Sequence, residues 1–392
     1  MFFIRMKFVI LPIISLLVVC TACQTTANEE PIPLFPSELP DFTIPEECNI
    51  TDFEEQFSGQ KLTFSQDISR AFFKDCEVWI ESQRISITNT VFENCRVYVC
   101  DSAGIVFDNV AFRYQDIYEQ AALSINESEN VTINNCCFTE NYIGLGIHSS
   151  DVSVRSCRFV KNNGHNAITI GEGSIAEVLN SYFFGSFPHA ILAMNREDSI
   201  HANVQIIGNL IEQTGEDAID FEDYRNAAPS TVSGNIIRNT GCSAILVEYN
   251  SWNSNISIEN NWIESTGIEW YEEIHPQQTE VYSPGSGQGI MIEDSSMVNI
   301  KANRIHLAGE NGISIRNGRD VTIANNGIDC AGTAIAAFNY SPSSFNRPNS
   351  PLSLENAGVS SVVAWDNVVF NAEIFFYSEP GSVIETKTPC NP

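Results

Sequence analysis

Basic residues are scarce in this sequence: 20 Lys and Arg stand against 49 Asp and Glu in 392 residues, a formal charge of −29. Phosphate binding needs clustered cations that release counterions, so nucleic acid is excluded as a partner and no basic groove is available to capture a polyanion. An acidic ligand can still be held through a bound divalent cation, which keeps calcium as the cofactor to consider. Charged residues are only 18% of the chain against 43% hydrophobic, which fits neither a disordered polymer nor a charged coiled coil. Amphipathic helical periodicity of useful length is missing, and with it leucine-rich, TPR and Rossmann arrangements. The chain also lacks a phosphate loop, a nucleotide fingerprint, a CxxC pair, Cys/His zinc spacing and a Ser-His-Asp pattern. Histidine is rare, and His148, His201 and His306 are scattered singly, as structural or exposed histidines are.

Long apolar runs are absent as well. The longest, Phe8 to Val19, follows Arg5 and Lys7 and is too short for a lasting membrane span, so residues 1–22 read as a secretory signal. Its end, Cys20-Thr21-Ala22-Cys23, resembles the bacterial lipoprotein box, although Cys20 stands where that family usually has Leu. The resemblance implies lipidation at Cys23, and Gln24 in place of Asp implies an outer-membrane lipoprotein facing the periplasm or the cell surface, with the membrane as a partner through the lipid anchor. Residues 23–47, with five prolines from Pro31 to Pro45, read as a flexible tether. Twelve cysteines suit an exported protein. Cys76 and Cys95, and likewise Cys136 and Cys157, occupy equivalent repeat positions and are expected as stacked thiols in preference to disulfides. Cys330 with Cys390 is expected to staple the C-terminal tail, 386–392.

What the chain has in abundance is a repeat. A β-rich tripeptide, then Asn or a small residue, then a large apolar residue recurs from Ile87–Phe92 through Phe107–Phe112, Ile133–Phe138, Val154–Phe159, Val178–Phe183, Ile206–Ile211, Val232–Ile237, Ile258–Ile263, Ile300–Ile305 and Ile323–Ile328 to Ala364–Phe370. The last residues are spaced 20 to 28 apart with two intervals of 42, a solenoid signature with two insertions. Asn lies two or three positions before the final apolar residue in ten of the eleven copies, where it reads as a turn ladder because Asn tolerates left-handed backbone. Each unit adds a second short strand such as Ala218-Ile219-Asp220-Phe221 or Ala244-Ile245-Leu246-Val247, whose alternation sends the apolar pair inward and the residue between them outward.

These repeats resemble the right-handed parallel β-helix of the pectin-lyase-like superfamily over about residues 60–385. The resemblance implies an all-β, right-handed parallel β-helix solenoid of about eleven or more coils, placed at 48–385. It leaves function open, since that superfamily includes polysaccharide lyases, hydrolases, epimerases and adhesins.

Aligning the second strands gives an outward column of Glu222, Glu248, Glu293 and Arg316, with Asp220 and Asp217 beside Glu222 and His189 and Ser243 in the coils flanking Asp217. Stacked coils lie about 4.8 Å apart and same-face residues of one strand about 6.7 Å, so Glu222 and Glu248 are expected near a retaining carboxylate separation and Asp220 and Glu222 near an inverting one. Three readings stay open: an exposed acidic ladder that aids solubility, a calcium or substrate site, or catalytic carboxylates. As catalytic candidates we take Asp217, Asp220, Glu222, His189 and Arg225, and as cation ligands Asp220, Glu222 and Glu248. The insertions contribute aromatic rings suited to stacking on sugars, so Glu248, Trp252, Trp270, Tyr271, Tyr282 and Glu293 are substrate-binding candidates. Gly215-Glu216-Asp217-Ala218-Ile219-Asp220 is similar to the Gly-Asp-Asp segment of polygalacturonase-type hydrolases, which implies an acid/base pair at Glu216 and Asp217. It departs from that family in having Glu first, in placing its His in the preceding coil and in lacking an Arg-x-Lys element. The expected function is binding of a polysaccharide in a groove along the solenoid, with lyase or hydrolase cleavage as the catalytic version and a non-catalytic scaffold as the alternative.

Overall fold

The computed structural model describes residues 40–195, 202–224, 228–249, 254–267, 287–330, 332–338, 361–365, 367–370, 374–378 and 383–386. Every regular element among them is a β-strand, and none is a helix. The strands form two sheets of 24 and 13 strands in which every neighbouring pair is parallel and joins one coil to the next. The larger sheet carries two strand positions per coil and the thirteen-stranded sheet one, so thirteen strands stack where the repeats alone marked eleven.

A Phe column explains why the N-terminal coils stack. Phe57, Phe73, Phe92, Phe112, Phe138, Phe159 and Phe183 occupy one inward position, and their rings follow each other at centroid distances of 4.6 to 5.2 Å. That matches the spacing of neighbouring parallel strands, so each ring packs on the next without tilting its coil. Ile211, Ile237, Ile263, Ile305, Ile328 and Val369 continue the same register. The last position corrects the sequence alignment, which ended the final copy at Phe370. Its seven-residue span hid a one-residue offset that pairing Ile328 with Val369 resolves.

The Asn ladder also separates into two columns. Asn89, Asn109, Asn135, Asn180, Asn260 and Asn325 have φ between 48° and 57°, the left-handed corner expected. Asn209, Asn235, Asn261, Asn303, Asn326 and Asn367 lie one position later and form a different ladder. From Asn235 onward each Oδ1 accepts the backbone N–H and side-chain Nδ2–H of the preceding Asn at 2.9 to 3.0 Å, and Asn209 Oδ1 accepts the Ser181 N–H at 2.8 Å. Each Nδ2 also donates to a carbonyl of an earlier coil, so these interior amides are satisfied. Cys136 and Cys157 occupy this corner in earlier coils and, like Cys76 and Cys95, are buried free thiols.

One disulfide was not expected. Cys48 is bonded to Cys137, 89 residues away. Arg158 adds a hydrogen bond to the Pro45 carbonyl at 3.1 Å and an ion pair with Glu47 at 3.2 Å, while Phe42 packs on Tyr182, Leu210 and Ile236. The proline-rich stretch therefore meets the outer wall of the solenoid before residue 48. Cys23 and the signal, Cys390 and the tail from 387 lie outside the described residues.

Candidate active site

The thirteen-stranded sheet positions the acidic residues. In Ile219–Glu222, Ile219 and Phe221 point into the core and are fully buried, which turns Asp220 and Glu222 outward. Register pairs Glu222 with Glu248, Glu248 with Glu293 and Glu293 with Arg316, the column read from the sequence. Outward does not mean exposed here: Asp220 is 3% exposed, Asp217 6% and His189 9%.

His189 is the hub. Its Nε2 lies 3.9 Å from Glu216 Oε2 and 3.7 Å from Asp220 Oδ2, and its Nδ1 lies 3.9 Å from Asp217 Oδ2 and 3.3 Å from the Asp217 carbonyl. Asp217 Oδ1 accepts the Ser243 N–H at 2.7 Å. Burial sets the protonation of this group, because it disfavours whichever form is charged. It depresses His189 to about 4. It pushes Glu216 up to about 7, helped by the charge of Asp217, and Asp217 up to about 6 against its hydrogen bonds from Ser243. Asp220 is raised well above the carboxylate range by burial and then by Glu248, Asp217, Glu222 and Glu216. Near neutral pH the cluster thus holds a neutral imidazole beside a protonated Asp220, a Glu216 that keeps its proton about half the time and an Asp217 that is mostly ionised.

Two sets of side chains have ligand atoms within 4.8 Å of one another: His189, Glu216 and Asp217, and Asp220, Glu222 and Glu248. Asp220 and Glu222, expected near an inverting separation from strand geometry alone, thus bring one carboxylate oxygen each within 4.8 Å of the other. Glu293, expected to line a groove, is buried beside Arg316 at 3.6 Å, and burial still raises its pKa against that guanidinium. Arg225, Trp252, Trp270, Tyr271 and Tyr282 lie outside the described residues.

Sequence reasoning missed His165. Burial lowers its pKa, while the charges of Glu119 and Glu222 pull it upward, which places it electrostatically beside the acidic column. The signal was its position: its neighbour Asn166 pairs with His189 in register. The same outward column as Asp220 runs back through Leu192, Thr169, Gly146 and Ser124 to Tyr98 and Trp79. Those two rings stack at 4.5 Å, with the Lys61 ammonium 5.2 Å from the Trp79 ring.

The family pattern described as a right-handed beta helix region matches residues 47–205 and 277–386, more than half of the chain. The chain belongs to the right-handed β-helix family. A search of curated proteins gives no significant match. Among solved structures this β-helix is similar to the periplasmic alginate epimerase AlgG, with a TM-score of 0.53 and 12% identity over 80% of this chain and 77% of that one. It is also similar to the Agl-KA catalytic domain, with a TM-score of 0.50 and 12% identity over 85% of this chain and 62% of that one. At such identity the likeness is one of fold.

Proposed function

We propose that this β-helix binds a polysaccharide along the outward face of its thirteen-stranded sheet and acts on it by proton transfer, with His189 as base, Glu216 as acid, and Asp217 and Asp220 orienting the imidazole. The observation that carries this reading is the contact between His189 and Glu216, 3.9 Å apart, one depressed to about 4 and the other raised to about 7. Environments that push neighbouring groups in opposite directions mark an acid/base pair. A neutral imidazole accepts a proton and a protonated carboxyl delivers one to a leaving oxygen, the two transfers that breaking a glycosidic bond by elimination or hydrolysis requires.

The column beyond the pair supports a polymer as substrate. From Tyr98 to Asp220 it climbs five coils, about 24 Å, over small side chains at Ser124, Gly146 and Thr169. A sugar stacked on Trp79 and Tyr98 would be several residues from the reacting bond. The fold shared with an alginate epimerase supports a carbohydrate substrate. An oxidising, exported location fits the Cys48–Cys137 disulfide and the signal, and we place the protein at the outer membrane, lipidated at Cys23 and facing the periplasm or the cell surface.

The test is turnover of neutral and uronate-containing polysaccharides, read as new reducing ends or as absorbance of unsaturated uronate. Active protein should lose at least about 100-fold in kcat through either His189→Asn or Glu216→Gln. Trp79→Ala should raise KM with little change in kcat. Glycan binding without turnover, unchanged when Asp217, Asp220 and Glu222 are all replaced by Ala, would instead establish a non-catalytic scaffold.

A further inference from the structure

We infer that Asp220, Glu222 and Glu248 form a calcium-class cation site beside the acid/base pair. Asp220 and Glu222 leave one strand on the same face, and Glu248 is the register partner of Glu222 on the next coil. Each offers a carboxylate oxygen, and the three oxygens lie within 4.8 Å of one another. Oxygens that share one Ca²⁺ ion at about 2.4 Å each are at most about 4.8 Å apart, so the three lie within reach of a single ion, and a set of three protein carboxylates suits Ca²⁺ better than Mg²⁺, which keeps several waters.

Clustering alone would be met by protonation or by solvent. The decisive atom is Asp220 Oδ1, which is buried on a residue 3% exposed and has no hydrogen-bond partner. Native structures rarely leave a buried carboxylate oxygen unsatisfied, and a cation shared with the carboxylates of Glu222 and Glu248 would satisfy this one. The neighbouring set is different. Asp217 Oδ1 already accepts the Ser243 N–H, and His189 Nδ1 already faces the Asp217 carbonyl. The donor set at Asp220 is oxygen only, which favours a hard cation over zinc or copper. A cation there adds positive charge among these carboxylates, and so gives an acidic sugar a point of attachment in a chain with 20 Lys and Arg against 49 Asp and Glu. The site adjoins the proposed acid/base pair, but cation binding is measured without any glycan and stands or falls separately.

The experiment titrates CaCl₂ alone into chelator-treated protein by calorimetry, with thermal unfolding followed in parallel. The expected result is one saturable site, an increase in Tm with calcium, and at least about tenfold weaker binding of MgCl₂. Asp220→Asn and Glu248→Gln should each weaken calcium binding at least tenfold while the Tm in chelator stays at or above that of the parent. Glu293→Gln, one coil farther along, should bind calcium as the parent does. Absence of saturable binding, magnesium binding as tight as calcium, or a loss in Glu293→Gln without a loss in Asp220→Asn would overturn the site.

Discussion

Burial acts on Glu216 and His189 in opposite senses, because the charged form of one is an anion and of the other a cation. For Glu216 the folded state holds its proton up to about pH 7, above the ordinary value of 4.5. Its contribution to stability is therefore fully present below about pH 4.5 and is lost as pH rises through about 7. Glu216→Gln removes that dependence. Relative to the parent, the variant should gain nothing below pH 4.5 and about 3 kcal/mol above pH 7, read from urea midpoints in chelator. His189 titrates in both proteins and cancels in the difference. The positions of these side chains were largely legible in the sequence. Alternation along Ala218-Ile219-Asp220-Phe221 predicted which side Asp220 takes, and the repeat register predicted Glu222 beside Glu248. Burial was not legible, since alternation names a side of the sheet and says nothing of what covers it. For the same reason the three readings of the acidic column could not be separated, and His165 went unnoticed.

At the level of the strand and its corner, the repeat specifies two Asn roles that differ by one residue. The left-handed corner needs a residue that tolerates positive φ, so Asn135→Gly should cost little, a few tenths of a kcal/mol. The interior ladder needs an amide. Asn235→Ala leaves the Asn209 N–H and the Ile206 carbonyl without their partners inside the core, and should cost about 2–4 kcal/mol. Comparing thermal unfolding of the two variants checks the assignment, and equal losses would contradict it. Both columns are Asn-rich, and because the preference for a corner and the preference for a ladder select the same residue type, sequence spacing alone merged them. The Phe column was easier to read, since only an inward position explains a large ring at every repeat.

Across the whole molecule, winding converts separations of 26 to 28 residues into side-chain contact, as between His189 and Asp217 or between Asp217 and Ser243. The disulfide shows the same conversion over a longer span. Cys48 meets Cys137 because the segment from Phe42 to Cys48 lies along the outer wall, and spacing within the repeats carries no information about a segment that precedes them. The β-helix itself was readable from the repeats because its contacts are periodic. The central claim is that this winding gathers His189, Glu216, Asp217 and Asp220 into one water-poor site instead of an exposed acidic ladder. Titration of the His189 imidazole by NMR, assigned with His189→Asn, tests it most directly. A buried cluster of proton-retaining carboxyls predicts a midpoint near pH 4. An exposed row of ionised carboxylates would stabilise the imidazolium, and a midpoint at or above 6.5 would contradict the account.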